Sequence, residues 1–217
     1  MLLLGVENLG ANNGESTWHF LDDPTVELYA FEPNPILYND LCKKAQTNSR
    51  YHPIKAAISE ENGEAAFHLA GAIVKENPFI HIQGVSNYGC SSLLPFSETV
   101  EKEWKDRPDF KSFCDVNVMT MRLETFIEMY SIPSIDYLHI DAQGMDLSVM
   151  KSLGKYMSLV KEGVLEAPIS NKKKIYDGSH TCEEAILFLI QNGFQITDIQ
   201  KNDGDGNEVN IFFKWRT

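Results

Sequence analysis

The 217-residue sequence has no CxxC pair, no Asn-x-Ser/Thr site and no apolar run approaching the length that crosses a bilayer. Its four cysteines, Cys42, Cys90, Cys114 and Cys182, are widely scattered. That fits reduced thiols in a cytoplasmic protein better than a disulfide framework. The opening "MLLLG" lacks a basic start, is short for a signal peptide and runs into Glu7. Basic residues are scarce, with 19 Lys and Arg against 31 Asp and Glu, for a net charge of −12. Counterion release needs clustered Lys and Arg, so this balance argues against a nucleic-acid partner or an anionic membrane surface. The one basic run, "KKK" at 172–174, reads as a solvated loop. Internal repeats and low-complexity tracts are absent as well.

What is present is the ordinary material of a globular chain, 43% hydrophobic and 23% charged. The length fits one domain, 1–217, able to bury a core without disulfides or metals. Apolar runs alternate with helical patterns. "LLLGVENL" (2–9), "VELYAFE" (26–32), "SIDYLHID" (134–141) and "SLVKEGVLEA" (158–167) read as strands. Between them, 14–21, 34–46, 97–106, 122–130 and 146–154 read as helices. "HPIKAAIS" (52–59) and "EAAFHLA" (64–70) flank the turn "EENG" and predict a hairpin. Thr181 and Glu184 form a capping box for a helix that stops at Asn192-Gly193. "FQITDIQ" and "VNIFFKW" close the chain as two strands. The alternation predicts an α/β fold, a parallel sheet ending in an antiparallel hairpin. "DGDGN" (203–207) begins like a calcium loop, but Lys214 stands where a closing Glu is needed, so it reads as the hairpin turn.

Ligands of open parallel sheets gather outside the carboxyl ends of the strands. "GANNG" (10–14) follows the first strand and opens a helix, and Glu32 ends the second strand 18 residues after Gly14. An acid there can accept hydrogen bonds from both ribose hydroxyls of a nucleoside. The loop lacks the G-x-G-x-x-G of dinucleotide sites, placing Asn12 where a pyrophosphate needs little bulk. "YHPIK" (51–55) matches a Tyr-x-x-x-Lys dyad in letters only, because Pro53 and its flanks indicate a strand rather than a helix face. A nicotinamide enzyme is therefore the weaker reading.

Six ordered blocks, "ENLGANNGEST", "YAFEPNP", "KAAISEENGEAAFHL", "CSSLL", "MRLETFIEMYSIPSIDYLHIDAQGMDLSVMKSLG" and the final "NGFQITDIQ…NIFFKW", resemble the segments of FkbM-type methyltransferases over nearly the whole chain. The resemblance implies a Rossmann-like class I methyltransferase fold: a mostly parallel seven-stranded sheet with helices on both faces and a C-terminal antiparallel hairpin. It further implies S-adenosylmethionine as methyl donor, lying across the first and fourth strands, and a sugar or polyol hydroxyl as acceptor. Donor contacts are implied at Glu7, Asn8, Gly10, Ala11, Asn12, Gly14, Thr17, Glu32, Pro33, Ala57, Ile58 and Asp141. Asn8 stands where the family usually has Asp, and strand alternation puts Glu7 on the opposite face. Asn8 is therefore expected to order the loop by neutral hydrogen bonds. In the fourth strand, His139 and Gln143 take positions usually held by Lys and Glu, while Asp141 and the later acid, Asp146, are kept. The chain begins almost at the first strand, as a minimal enzyme or a module of a larger glycan-modifying protein would.

An aliphatic hydroxyl is a weak nucleophile and needs a base or a metal to ease its proton away. Asp141 is the first candidate base, or a holder of the donor's ammonium group. His139 shares its strand face. Glu166, ending the fifth strand, is a third candidate. Asp141, Asp146 and Glu166 carry oxygens that could hold a divalent ion, but the sequence shows no tight ligand cluster, so a metal is open and not predicted. The other histidines (19, 52, 68, 81 and 180) read as structural or exposed. In the long irregular segment 70–96, Phe79, Tyr88 and Phe96 with Ser86, Asn87, Ser91 and Ser92 suit a sugar's apolar face and hydroxyls. "ISNKKKIYDGSH" would form the other lip. Two rivals stay open, a nicotinamide-dependent oxidoreductase and a catalytically inactive nucleoside-binding domain.

Overall fold

A computed structural model describes residues 2–7, 15–73, 85–86, 88–104, 107, 110–202 and 207–216. The main sheet has seven strands: β1 (Leu2–Glu7), β2 (Glu27–Phe31), β3 (Tyr51–Ile54), β9 (Ile135–Asp141), β10 (Val160–Pro168), β11 (Phe194–Lys201) and β12 (Glu208–Trp215). Their spatial order is β11-β12-β10-β9-β1-β2-β3. The strands from β3 to β10 pair in parallel, whereas β12 runs antiparallel to both β10 and β11. The sheet is thus mixed, with the expected terminal hairpin providing its antiparallel strand.

Alternation along each strand gives the sheet two apolar faces. On one, Leu28 and Ala30 of β2 pack with Leu41 of α2 (Pro35–Ala45) and with Leu21. On the other, Phe31, Leu138, Ile140 and Leu165 pack with Phe126 of α4 (Leu123–Tyr130), Met150 of α5 (Asp146–Ser152) and Leu189 of α6 (Cys182–Gln191). Local sequence sets these helices. Asn34 caps α2 by accepting from the Ile36 N–H at 3.0 Å, with Pro35 in the first turn. Thr181 and Glu184 form the expected capping box on α6.

Several expectations are corrected. The segments 52–59 and 64–70 do not pair as a hairpin. β3 joins the main sheet, while β4 (Ala57–Ile58) and β5 (Gly63–Ala70) both pair with β8 (Ser112–Met121), in the order β4-β8-β5. Strand β8 has no counterpart in the sequence reading. A further two-stranded sheet joins β6 (Ala72–Ile73) to β7 (Val85–Ser86). The helix expected at 97–106 shrinks to α3 (Val100–Glu103), and that at 14–21 to α1 (Glu15–Trp18) with a 3-10 turn at His19–Asp22. Among the described residues, no helix is long and apolar enough to cross a membrane.

In the middle of the sheet, Gly163 allows β10 to approach β9. A Cβ there would stand 2.3 Å from the Leu138 carbonyl oxygen and 2.8 Å from Phe213 Cζ. A backbone carbonyl inside a ladder cannot step aside, so Gly163→Ala should lower unfolding free energy by about 3 kcal/mol or more. Denaturant titration measures this directly, and a loss below about 1 kcal/mol would show that the strands can separate there.

Candidate active site at the carboxyl edge of the sheet

Parallel register brings the strand ends level. Val6 pairs with Phe31, Glu7 with Asp141, and Ile140 with Leu165. One residue further along, Glu32, Glu7, Asp141 and Glu166 therefore form a row across four neighbouring strands. At the ~4.8 Å strand spacing, that row spans about 15 Å. The three described side chains of that row, Glu32, Asp141 and Glu166, put carboxyl groups on one edge, which favours a cationic or hydroxyl-rich ligand. Glu32 is 1% exposed and accepts a hydrogen bond from the Asn34 N–H at 2.7 Å. On the connections flanking it, Thr17 Oγ1 and Asn34 Nδ2 are buried and find no hydrogen-bond partner among the described residues. A buried polar atom left unmet costs about 1–3 kcal/mol.

Beyond Asp141, the chain makes a strained turn into α5. Gln143 has φ 50° and Gly144 φ 88°. A Cβ on Gly144 would also meet Tyr176 at 3.0 Å and Ser179 at 3.1 Å, so glycine is required there twice over. Side chains hold the turn in place. Ser92 Oγ donates to the Gln143 carbonyl at 2.7 Å, and Gly144 N–H donates to Asp146 Oδ2 at 3.2 Å. The Gln143 side chain, in turn, links two groups. Its Nε2 donates to Asp141 Oδ1 at 2.7 Å, and its Oε1 lies 2.5 Å from the Tyr176 hydroxyl. Tyr176 is also 2.9 Å from the Cys90 carbonyl oxygen, and its ring stacks on Phe96 at 5.3 Å.

This corner is dry. The space between Asp146, Glu166, Tyr176 and Glu208 is a cavity of about 20 Å³. Burial, followed by the Asp141 charge, pushes the Asp146 carboxyl up to about 8, against backbone N–H donors that favour its ionised form. Glu166 is raised well above the usual carboxylate range by burial of its carboxyl, then by Asp141 and Glu208. Its Oε1 accepts from Asn202 Nδ2, which ties it to the β11–β12 hairpin. Burial also keeps the Tyr176 phenol protonated far above neutrality.

The structure therefore brings Asp141, Glu32 and Glu166 to one edge, with the Glu7 backbone beside Asp141. His139 lies on the same face as Asp141, one pleat further from the edge, paired with Val164. Pro33 is buried after Glu32, and Thr17 is fully buried on α1. Ala57 and Ile58 are buried on β4. Asn8, Gly10, Ala11, Asn12 and Gly14 lie outside the described residues. So do Phe79, Asn87 and the side chains of Ser86 and Tyr88. Ser91 and Ser92 are corrected from acceptor-facing hydroxyls to internal ones: Ser91 Oγ accepts from the Ala70 N–H, and Ser92 is spent on Gln143. Among the described residues, no three His, Cys, Asp or Glu side chains converge as a metal site. Tyr176 escaped the sequence reading, since nothing near it in "KKKIYDG" signals that it returns to the end of β9. On the far side of its ring stack, Phe96, Phe110, His68, Ser97, Glu98 and Lys111 line a cleft of about 430 Å³.

A family model described as the methyltransferase FkbM domain matches residues 8–196. The chain belongs to the FkbM methyltransferase family. Solved structures agree on the fold. An FkbM methyltransferase from Methylobacillus flagellatus is 14% identical with a TM-score of 0.53, covering 97% of this chain and 43% of that one. Fibrillarin from Aeropyrum pernix, with bound S-adenosyl-L-methionine, is 11% identical with a TM-score of 0.52, covering 97% and 65%. TrmK from M. capricolum, with S-adenosylhomocysteine, is 9% identical with a TM-score of 0.50, covering 100% and 62%. The chain thus spans between two fifths and two thirds of the length of these structures. No match is found among curated proteins.

The carboxyl edge of this FkbM domain has a thermodynamic signature. Asp146 is neutral in the folded state up to pH about 8 but ionises near 3.8 when unfolded. Folding therefore takes up a proton between these values, and stability should fall as pH rises through that window, by up to ~1.4 kcal/mol per unit. Above about 8 the contribution is flat. Glu166, raised in the same direction, adds to the slope. Asp146→Asn should be relatively more stable at pH 8 than at pH 5 and show a shallower slope by thermal unfolding. An unchanged slope would mean that Asp146 is ionised in the folded protein.

Proposed function

We propose that the domain is an S-adenosylmethionine-dependent O-methyltransferase, acting within residues 1–217 on a hydroxyl of a sugar or similar polyol. The observation that carries this reading is the acidic row at the carboxyl edge, with a buried Glu32 at one end and Asp141 near its centre. The residues fit the donor. Glu32 would accept from the ribose hydroxyls, and the unmet Thr17 and Asn34 groups would contact its polar atoms. The edge as a whole favours a cation, and the donor is one. When bound, the donor supplies an electrophilic methyl on a sulfonium, which an acceptor oxygen displaces in line while the sulfur leaves with the bonding electron pair.

The chain's own task is then to hold the acceptor and receive its proton. Asp141, steadied by the Gln143 amide, is placed to take the hydroxyl proton. Glu166 is a poorer candidate, because burial and the nearby Asp141 and Glu208 favour its protonated form and Asn202 holds one of its oxygens. The sugar class is supported by the cleft on Phe96 and Phe110, whose aromatic wall and polar rim of His68, Ser97, Glu98 and Lys111 match a ring with one apolar face and several hydroxyls. Charge supports a partner other than nucleic acid or an anionic membrane, given the net −12. A cytoplasmic setting and a place within a larger glycan-modifying protein go with this reading.

Glu32→Gln should weaken binding of S-adenosylhomocysteine about tenfold or more by calorimetry, since charged hydrogen bonds to the ribose become neutral ones. Unchanged affinity would remove the ribose assignment, and stabilisation by NAD instead would favour an oxidoreductase. Asp141→Asn should lower labelled-methyl transfer to a sugar panel by about a hundredfold while donor affinity changes little. Parallel loss of donor affinity would reassign Asp141 to the ammonium group. A wild-type protein that binds donor but methylates no hydroxyl would point to an inactive binding domain.

A further inference from the structure

Behind Asp141, the hydrogen bonds cannot all be made while Asp141 is ionised. A carboxylate only accepts, so an ionised Asp141 requires Gln143 to present Nε2 to it, at 2.7 Å, and to turn Oε1 toward Tyr176, at 2.5 Å. Tyr176 carries one O–H, yet it faces two acceptors, Gln143 Oε1 and the Cys90 carbonyl oxygen at 2.9 Å. It can serve only one of them. Both side chains are held inside the protein, with Gln143 8% and Tyr176 3% exposed.

We propose that Gln143 is a proton-responsive positioning residue, whose amide inverts when Asp141 takes up a proton. This rests on the reading of Asp141 as the base. In the inverted state, the new Asp141 O–H donates to Gln143 Oε1, Gln143 Nε2 donates to the Tyr176 oxygen, and Tyr176 O–H donates to Cys90 O. Two bonds along this chain become three. The acceptor's proton stays on Asp141, no further proton moves, and the amide exchanges two atoms of nearly equal size. The strained turn, pinned by Ser92 and Asp146, keeps the side chain in reach of both partners throughout. A glutamate at 143 could not act this way when ionised, having no N–H to offer either neighbour. The inversion makes Asp141 a better proton acceptor than a fixed amide would.

Other groups also surround Asp141: Asp146 at the start of α5 and Glu166 on β10 interact with it, Glu208 on β12 and Cys90 act on their neighbours Glu166 and Tyr176, and His139 precedes it on its own strand. All of them are retained in Tyr176→Phe, so comparison with wild type isolates the hydroxyl. The variant keeps the ring stacked on Phe96 and removes the acceptor that the inverted amide needs. The Asp141 carboxyl, followed by carbon-13 NMR in the free protein, should then titrate about 0.4–1 pH unit lower than in wild type, the equivalent of one net hydrogen bond. The acid limb of the methyl-transfer profile should move down with it. A fixed amide gives the opposite sign, because losing the phenol weakens the bond that supports the ionised carboxylate. An upward shift, or none, would overturn the proposal. Wild type offers a second readout that needs no variant: below the Asp141 titration, the Gln143 amide protons should move closer to the Tyr176 ring in Overhauser spectra, and their failure to do so would also overturn it. Asp141→Asn separates this inference from the reading beneath it. Retained turnover in that variant removes Asp141 as base, whereas lost turnover with no downward shift in Tyr176→Phe removes the inversion alone.

Discussion

Strand register is the constraint on which the rest of the site depends. Each parallel pair between β2 and β10 is locked by its ladder, and because alternate residues pack into two different apolar layers, a one-residue slip would misfit both. Phe31, Ile140 and Leu165 must all face the α4–α5 layer. The residues that follow them are then forced to the opposite face at the same height, and those residues are Glu32, Asp141 and Glu166. The acidic edge is thus a by-product of core packing. Hydrophobic positions several residues away determine where the carboxyl groups stand, and no contact between the acids is needed to assemble them.

That assembly opposes stability. Burial and mutual repulsion raise Asp146 and Glu166 together, so the corner favours fewer charges than its residues can carry. The strain in the Gln143–Gly144 turn adds to this. The opposing stabilisation comes from the sheet and its two apolar layers, which is where an FkbM-family domain can supply it without touching the carboxyl edge.

Much of this was legible in the sequence, for identifiable reasons. Long apolar strands with clear punctuation, such as "SIDYLHID" and "FQITDIQ", and capped helices such as that after Thr181, announce themselves locally. Glu32 and Asp141 could be placed because a strand end fixes its own last residue. The failures have a different character. Strand β8 has only the period-two pattern of Val116, Val118 and Thr120, and half of its residues are polar or exposed. The hairpin across "EENG" was a sound local inference, defeated by a strand that arrives from far along the chain and inserts between its two arms. Tyr176 belongs to the same class, since its partner Gln143 lies 33 residues away and nothing local marks the pairing.

The insertion of β8 also has a consequence in time. Gly63 of β5 pairs with Thr120, and Ala57 of β4 with that same residue, so among the described residues the ladders of both strands wait for β8, about forty to sixty residues further along the chain. At the ~5–20 residues per second of ribosomal synthesis, their edges stay open for several seconds. During that interval β5 presents Phe67 and Leu69, both buried in the finished fold, beside unpaired backbone. Such an edge is a template for intermolecular pairing, and Glu64 and His68 on the alternate positions of the strand put polar groups on it. The small sheet is thus one place where a nascent chain of this architecture is exposed to chaperones and to its own copies.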